Sequence, residues 1–213
     1  MIEIKNLSKK FGSSFGLMNI NLTLEKEESV IITGQNGAGK TTLVRSILGE
    51  QIPTCGDIRI AGIDPFKERA NVLKHIGFVP QLPPPIKLSV KELINYASVL
   101  SGAEEKKISD ICQKLELDVK EHFKKIFFKL SGGMKQKLLI AIALAKEPDI
   151  FIFDEPTANL DMQGRENFYK LMRSLHGGRL LVFISHRLEE IKDLINRKIE
   201  MDFGKVVKDE KFV

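Results

Sequence analysis

The chain has 213 residues, 43% of them hydrophobic, which fits one globular domain with a substantial core. Lysine and arginine together number 33 and aspartate and glutamate 28, which gives a formal net charge of +5. Because the lysines are scattered in pairs rather than concentrated, this mild excess favours a solvated surface over a nucleic-acid interface, while contact with an anionic membrane face stays open.

Short apolar segments predict strands near the N-terminus. These segments read IEIKNL, LMNINLTL and SVIIT, and we expect turns at Gly12 and Gly16. Residues 30–33 are apolar enough for a buried strand of a parallel sheet. KTTLVRSILG then has the spacing of a helix that stops at Gly49, and GDIRIAGID predicts another pair of strands.

The sequence changes character from Pro80 onward. PQLPPPIKL predicts an irregular loop, since prolines do not fit regular elements. The S-x-x-E capping box at 89–92 predicts a helix to about Leu100, and Asp118–Glu121 predicts a second helix start. Strands return in DIFIFD and RLLVFIS, with a helical pattern between them. We therefore expect an α/β core into which a helical region, about 82–147, is inserted.

The cysteines and the apolar runs narrow the class of protein further. Cys55 and Cys112 are far apart and form no C-x-x-C pair, which argues against a disulfide scaffold or a zinc site and favours a reducing compartment. The N-terminus has no apolar signal region. IFIF and LLVFI are much shorter than the ~20 residues of a membrane helix. We expect a soluble chain whose membrane spans, if it works at a membrane, come from other chains.

A glycine-rich segment, GQNGAGKTT at 34–42, lies between a predicted strand and a predicted helix. Gly34, Gly39, Lys40 and Thr41 match the phosphate-binding pattern G-x-x-x-x-G-K-[ST]. Glycines let successive backbone N–H groups turn around a phosphate, and the helix start adds its positive dipole end. Lys40 supplies a charge for the β- and γ-phosphates, and Thr41 supplies an oxygen ligand for Mg²⁺. Pattern and context together reject a chance glycine-rich turn.

Polar residues also follow two later apolar strands. Asp154 fits the acid that a phosphate-loop enzyme needs at the end of a neighbouring core strand, where it holds Mg²⁺ through water. Glu155 is the next residue and can polarise an attacking water as general base. The alternative, two solvated acids, is disfavoured by the glycine-rich segment. His186 is as compatible with a structural or exposed histidine as with one that contacts phosphate or the attacking water.

With these residues, the chain resembles the nucleotide-binding subunit of an ATP-binding-cassette (ABC) transporter along nearly its whole length. Six elements occur in the order of that family: the Walker A loop at 34–42, the Q-loop glutamine at Gln81, the signature LSGGMKQ at 130–136, Walker B at 150–155, the D-loop NLD at 159–161 and the switch histidine at His186. The resemblance implies a P-loop NTPase core of the ABC ATPase type, with an N-terminal antiparallel β subdomain and the inserted helical subdomain, in a single domain over 1–213.

The resemblance also implies ATP and Mg²⁺ as cofactors and assigns residues to each role. The catalytic residues are Glu155, His186 and Gln81, and the metal ligands are Thr41, Gln81 and Asp154. The nucleotide-binding residues are Phe11, Gly34, Asn36, Gly37, Ala38, Gly39, Lys40, Thr41, Thr42, Ser131, Gly132, Gly133 and Asp161. Phe11 sits where the family has an aromatic side chain that stacks on adenine, and a core phenylalanine is the alternative.

The family resemblance implies partners as well. Two cassettes, as a homodimer or as a pair with a similar cassette, would bind head to tail, so that each ATP lies between Walker A of one protomer and LSGGMKQ of the other. Ser131 and the amides of Gly132 and Gly133 would contact the γ-phosphate, and ATP binding and hydrolysis would close and release the dimer. The other partner is a separate integral membrane permease on whose cytoplasmic side the cassette would lie, in the cytoplasm. No nucleic-acid partner is expected.

A few positions depart from the family pattern, and two other functions stay open. Gln35 stands where proline is frequent, and Lys137 and Ile142 replace arginines often found after the signature, but none of these removes a phosphate or metal ligand. NLDMQGREN resembles a segment of ABC-2-type exporters, and we expect no appended regulatory domain of the kind that some importer cassettes carry. The alternatives are a soluble ABC ATPase that acts on nucleic acid or ribosomes, and a nucleotide-gated binding module with little turnover.

Overall fold

The computed structural model describes residues 1–175 and 177–212 of the chain. The strands are β1 (Ile2–Phe11), β2 (Ser14–Leu24), β3 (Ser29–Thr33), β4 (Cys55–Ile60), β5 (Ile76–Val79), β6 (Ile150–Asp154), β7 (Leu180–Ile184), β8 (Arg197–Asp202) and β9 (Lys205–Lys211). The helices are α1 (Lys40–Ile47), α2 (Arg69–His75), α3 (Val90–Ser101), α4 (Glu105–Lys114), α5 (Gly132–Ala145), α6 (Met162–Ser174) and α7 (Leu188–Ile191). The predicted α/β class is confirmed.

The structure divides into two compact units. The core unit comprises Met1–Ile76, Asp149–Asp154 and the described residues from Gly177 onward. The helical unit comprises Gly77–Pro148 and the described residues from Glu155 to 175. The single domain over 1–213 and the segment inserted in it at about 82–147 stay predictions. The predicted end of the domain, Val213, lies outside the described residues.

The small sheet of the core unit is antiparallel, in the order β2-β1-β4, as the sequence predicts for the N-terminal subdomain. Two details of the prediction are wrong. Gly16 lies inside β2 and not at a turn, because the β1–β2 hairpin turns at Gly12 and pairs Phe11 directly with Ser14. GDIRIAGID forms one strand and not two, because the chain turns back at once and makes only the isolated bridge Ile60–Ile63.

The larger sheet carries the apolar strands, and its core-unit strands follow the order β6-β7-β3-β8-β9. The first four run parallel and β9 is antiparallel to β8. β6 and β7 are buried along their whole length, and the rings of Phe153 and Phe183 stack with centroids 5.2 Å apart. Such two-sided burial is what the continuous apolar runs predict for a parallel sheet. The carboxyl ends of these strands therefore meet at one edge.

The helical unit has a hydrophobic core of its own. Ile108 and Cys112 of α4 pack with Leu138 of α5 in a buried cluster. α3 begins with the predicted capping box, in which the Ser89 hydroxyl accepts from the Glu92 amide and the Glu92 carboxylate accepts from the Ser89 amide. None of the helices within 1–175 and 177–212 has the length and apolar content of a bilayer span.

The second predicted helix start, Asp118–Glu121, is wrong. Asp118 accepts a hydrogen bond from the Lys120 amide, two residues on, and only a 3₁₀ turn follows, at Lys120–His122. The Asp118 carboxylate therefore caps a single turn, and the backbone does not continue as an α-helix beyond it. Both cysteines are free, and burial raises the pKa of the Cys112 thiol to about 12.

A buried ion-pair network ties the C-terminal hairpin to the rest of the core unit. The Arg197 guanidinium donates to both carboxylate oxygens of Asp209, at 2.8 and 2.7 Å, to Glu28 at 2.8 Å and to the carbonyl of Thr23. Burial alone would raise the pKa of Glu28, but hydrogen bonds from Lys211 and the Glu25 amide and the charge of Arg197 outweigh it, so this pKa lies below its usual value. The charged form of Glu28 thus stabilises the fold.

Replacing Arg197 with methionine is expected to lower the free energy of unfolding by about 3 kcal/mol, because it leaves the Glu28 carboxylate buried without its guanidinium. Urea denaturation at pH 7 measures this loss. Because the folded pKa of Glu28 is depressed, the stabilisation is present above its unfolded pKa and is lost as pH falls through the folded pKa, so wild type and variant should converge in acid.

The matched control is Arg59→Met, because Arg59 is exposed and its ion pair with Asp64 spans 3.6 Å. Its expected cost is below about 1 kcal/mol. Equal losses from Arg197→Met and Arg59→Met would contradict the structural role assigned to the buried network.

Candidate functional site

The glycine-rich loop at 34–42 joins the end of β3 to the start of α1. Gly34 and Gly39 have φ values of 147° and 102°, which side chains rarely adopt. A Cβ at Gly39 would lie 2.6 Å from the carbonyl oxygen of Gly16, and one at Gly34 would clash with the carbonyl of Met201. Both glycines are therefore required by backbone conformation and by close packing against neighbouring main chain.

Lys40 curls back over this loop. Its ammonium donates to the carbonyls of Gly34 at 2.6 Å and Gln35 at 2.9 Å, while its own residue opens α1. The first-turn amides of a helix lack carbonyl partners within the helix, so the loop combines N–H donors, a helix start and a mobile cation. This donor set fits the phosphates of a nucleotide.

Two of the predicted polar residues lie at the carboxyl edge of the sheet, Asp154 at the end of β6 and His186 shortly after β7. Ile184 of β7 pairs with Ile32 of β3 on one side and with Asp154 of β6 on the other. Neighbouring strands lie about 4.8 Å apart, so Asp154 and the beginning of the loop are roughly 10 Å from each other along the sheet. His186, two residues after β7, lines a surface cavity of about 450 Å³ together with Gly34. The core unit thus brings together the glycine-rich loop, Asp154 and His186.

Phe11 is at the surface and not in the core. Its side chain is 49% exposed at the end of β1, which decides against the alternative of a core phenylalanine. The Lys9 ammonium lies 5.3 Å from the ring centroid and donates to the carbonyl of Ile52 at 2.7 Å. An exposed aromatic ring held by its neighbours is suited to stacking on a flat ligand.

In the helical unit, the signature segment forms the start of α5. Ser131 is the N-cap, and its hydroxyl oxygen accepts from the amide of Met134 at 3.2 Å, which leaves the O–H free to donate elsewhere. Gly132 and Gly133 open the helix beside Asn159, whose carbonyl oxygen would lie 3.0 Å from a Cβ at Gly133. Small residues here keep the helix start and its amides accessible.

Two residues near the predicted site were missed by the sequence analysis. The side-chain amide of Asn159 donates to the carbonyl of Gln81 at 3.4 Å, and that of the fully buried Gln136 donates to the carbonyl of Pro80 at 3.2 Å. The helical unit therefore brings Gln81 close to the D-loop segment and to α5. Asn159 belongs to the NLD segment and Gln136 to LSGGMKQ. A polar amide side chain inside each of these motifs is the sequence feature that indicates such a contact.

The remaining predicted residues have clear local roles. Glu155, directly after β6, has a φ of 44°, in the left-handed region that costs a non-glycine residue about 1 kcal/mol or more. Such strain at a polar residue is common at functional sites. Asp161 caps α6, since its carboxylate accepts from the Gly164 amide at 2.8 Å. A direct role of Asp161 toward nucleotide stays a prediction.

The family profile described as ABC transporter matches residues 17–158 of the chain, from β2 past the glycine-rich loop, the signature segment and Glu155. The chain belongs to the ABC transporter family. The predicted family is confirmed, and with it the predicted enzyme class, an ATPase, as the class to which this family belongs.

Relatives and solved structures agree with this family. The cassette is 36% identical to a zinc import ATP-binding protein of Rickettsia conorii, over 88% of the chain and 77% of that protein. It is 34% identical, over 98% of its length, to an ABC transporter ATP-binding protein of Methanosarcina acetivorans, of which it spans only 41%. A dimeric ATP-binding cassette in a post-hydrolysis state, bound to ADP and phosphate, matches with a TM-score of 0.86 at 28% identity, covering 100% of this chain and 99% of that one.

Proposed function

We propose that the protein is the ATP-hydrolysing subunit of an ABC transporter, which energises a separate membrane subunit through ATP-driven closure of a cassette dimer. The observation that carries the proposal is the loop at 34–42, where glycines with positive φ, a helix start and the Lys40 ammonium converge. This geometry supports binding of a triphosphate, and the same core unit supplies Asp154 and His186 near the ends of neighbouring strands.

The nucleotide would be held from its phosphates to its base by residues of the core unit. The amides of Asn36, Gly37, Ala38 and Gly39 would surround the phosphates, with that of Ala38 leaving the Gln35 carbonyl to which it donates at 3.1 Å. Lys40 would likewise exchange its carbonyl partners for phosphate oxygens. Thr41 and Thr42 add hydroxyl groups at the first turn of α1. The exposed ring of Phe11 stacks on the adenine.

The hard-oxygen donors of Thr41, Gln81 and Asp154 fit Mg²⁺, which prefers few protein ligands and the oxygens of phosphates. When bound, this ion neutralises charge that develops on the phosphates during transfer. Asp154 is suited to the task because it is only 8% exposed at a strand end, where a carboxylate keeps a fixed orientation. Thr41 presents its hydroxyl from the first turn of α1.

Hydrolysis needs a base for the attacking water, and Glu155 is our candidate. Its left-handed backbone turns the chain sharply after β6, so its side chain does not continue the alternation of the strand. His186 would contact the γ-phosphate or the water, and Gln81 would orient the water and sense the γ-phosphate. The proton leaves the water for the Glu155 carboxylate as the water oxygen bonds to the γ-phosphorus and the bond to the β-phosphate oxygen breaks.

The second half of the site would come from another copy of the chain. Ser131 and the amides of Gly132 and Gly133 offer donors and a helix start but no acid or base, which suits gripping a γ-phosphate and not cleaving it. A head-to-tail homodimer supplies this grip to the ATP held by the partner's loop. The 28% identical cassette is reported as a dimer, which supports pairing of two copies.

The membrane partner in our proposal is an integral permease, with the cassette on the cytoplasmic face of the cell membrane. For direction we propose ABC-2-like export, on the likeness of the segment at 159–167 to such cassettes. Affinity purification from membranes tests both points: a co-purifying protein with several hydrophobic spans supports a transporter, and nucleic acid or ribosomes without such a protein would favour the alternative function. Transport by the reconstituted pair then fixes cargo and direction.

Phosphate release from the purified protein at high concentration is expected to require both ATP and Mg²⁺. Chelation with EDTA should lower the rate to the background of a Glu155→Gln preparation, and added Mg²⁺ should restore it. A colorimetric phosphate assay measures this. Turnover that is unaffected by EDTA, or absent with and without the membrane partner, would contradict the catalytic part of the proposal.

A further inference from the structure

Gly16 lies inside β2 without a positive φ, so the backbone does not explain why this strand position has no side chain. Its surroundings do. A Cβ at position 16 would lie 2.6 Å from Cε2 and 3.0 Å from Cδ2 of Phe11, closer than carbon atoms approach each other. The Phe11 ring therefore occupies the space that a side chain at position 16 would fill.

The same point is also close to the phosphate-binding loop. The position of a Cβ on Gly16 lies 3.4 Å from Cγ2 of Thr42, and the carbonyl of Gly16 packs under Gly39. The absent side chain thus lets the Phe11 ring lie next to the start of α1. On its remaining surface the ring is open to solvent, at 49% exposure.

We propose that Gly16 is a positioning residue, which holds the Phe11 ring where the base of the nucleotide stacks. The inference rests on the proposed role of Phe11 toward adenine. A methyl group at position 16 must push the ring aside, and the ring can swing into solvent because only side-chain atoms at its edge oppose the new Cβ. The change should therefore weaken binding of the base while the fold and the phosphate contacts persist.

The experiment compares Gly16→Ala, Phe11→Ala and the double variant by calorimetric titration with the non-hydrolysed analogue adenylyl imidodiphosphate. Loss of base stacking is expected to raise Kd about five- to tenfold for each single variant. The double variant should match Phe11→Ala alone, because no ring is left to displace. Titration with inorganic tripolyphosphate, which has no base, should give the wild-type Kd for all three.

A control substitution in the same hairpin is Gly12→Asn. Gly12 has a φ of 58°, which asparagine tolerates, and a Cβ there meets no atom within 4 Å, so nucleotide binding should be unchanged. Circular dichroism checks that each variant folds. If Gly16→Ala alone is unstable, the double variant, which has no ring to clash with the new Cβ, still shows whether position 16 has another effect.

The outcomes separate the inference from the function beneath it. If Phe11→Ala raises Kd and Gly16→Ala does not, the positioning role is wrong and the base contact stands. Equal effects of Gly16→Ala with and without the ring would also overturn it, since the residue would then act through another contact. If Phe11→Ala has no effect, the base contact itself is wrong and the inference falls with it.

Discussion

Replacing Glu155 with glutamine is expected to lower ATP turnover by about 10²- to 10⁴-fold, the usual contribution of a general base. Glutamine keeps the size of the side chain and the hydrogen-bonding oxygen but cannot accept the proton of the attacking water. The left-handed φ of 44° at this position is no harder for glutamine than for glutamate, so the fold should persist. Steady-state phosphate release measures the loss.

The same variant should accumulate the state that precedes hydrolysis. With ATP and Mg²⁺ present, light scattering is expected to show a dimer for Glu155→Gln and a smaller dimer fraction for the wild type, which can hydrolyse its ATP. A matched control is Glu166→Gln, in α6, which changes an acid of the same helical unit without touching the proposed site. Wild-type turnover by Glu155→Gln would count against Glu155 as the base, and only monomer under saturating ATP would count against the ATP-closed dimer.

Replacing Gly132 with aspartate is expected to lower ATP turnover by at least about 10²-fold. The isolated monomer should still bind ATP with the wild-type Kd. A Cβ at Gly132 meets only Asn159 at an ordinary 3.7 Å, and an acid in the first turn of a helix is favourable, so α5 should form. Toward a γ-phosphate held by the partner, the new carboxylate is repulsive.

Lys40→Ala gives the opposite pattern and serves as the comparison. Loss of its charged hydrogen bonds to phosphate should raise Kd for ATP by about 10- to 100-fold in the monomer itself. Equilibrium titration at protein concentrations too low for dimers separates the two variants. Gly132→Asp would refute the assignment of its loop to the facing protomer if it weakened monomer binding as severely as Lys40→Ala.

The glycine-rich loop shows why part of this site can be predicted from sequence. Gly34, Gly39 and Lys40 act through local backbone geometry and a short fixed spacing, so their pattern predicts their structure directly. The buried strands before the loop and before Asp154 follow from unbroken apolar runs, because a parallel sheet is covered on both faces. The roles of the other predicted site residues follow from the family resemblance, which depends on the order of the six motifs along the chain.

Other features depend on contacts between distant segments. Gly16 was expected at a turn because glycine often marks one, whereas its reason is the ring of Phe11 packed beside it. The Asp118–Glu121 pattern predicts a helix start, yet only the 3₁₀ turn Lys120–His122 follows Asp118. The Arg197 network and the links from Asn159 and Gln136 to the chain at Pro80–Gln81 join residues that no local pattern relates.

The most direct test of the two-chain site is to mix equal amounts of Lys40→Ala and Gly132→Asp at an ATP concentration well below the raised Kd of Lys40→Ala, where each variant alone is expected to be inactive. In a head-to-tail dimer, a mixed pair contains one site with an intact glycine-rich loop from one chain and an intact signature from the other. We predict recovery of up to about a quarter of wild-type turnover, since about half of the dimers are mixed and each has one good site. If both elements of a site came from the same chain, the mixture would be as inactive as its components, and that result would contradict the account.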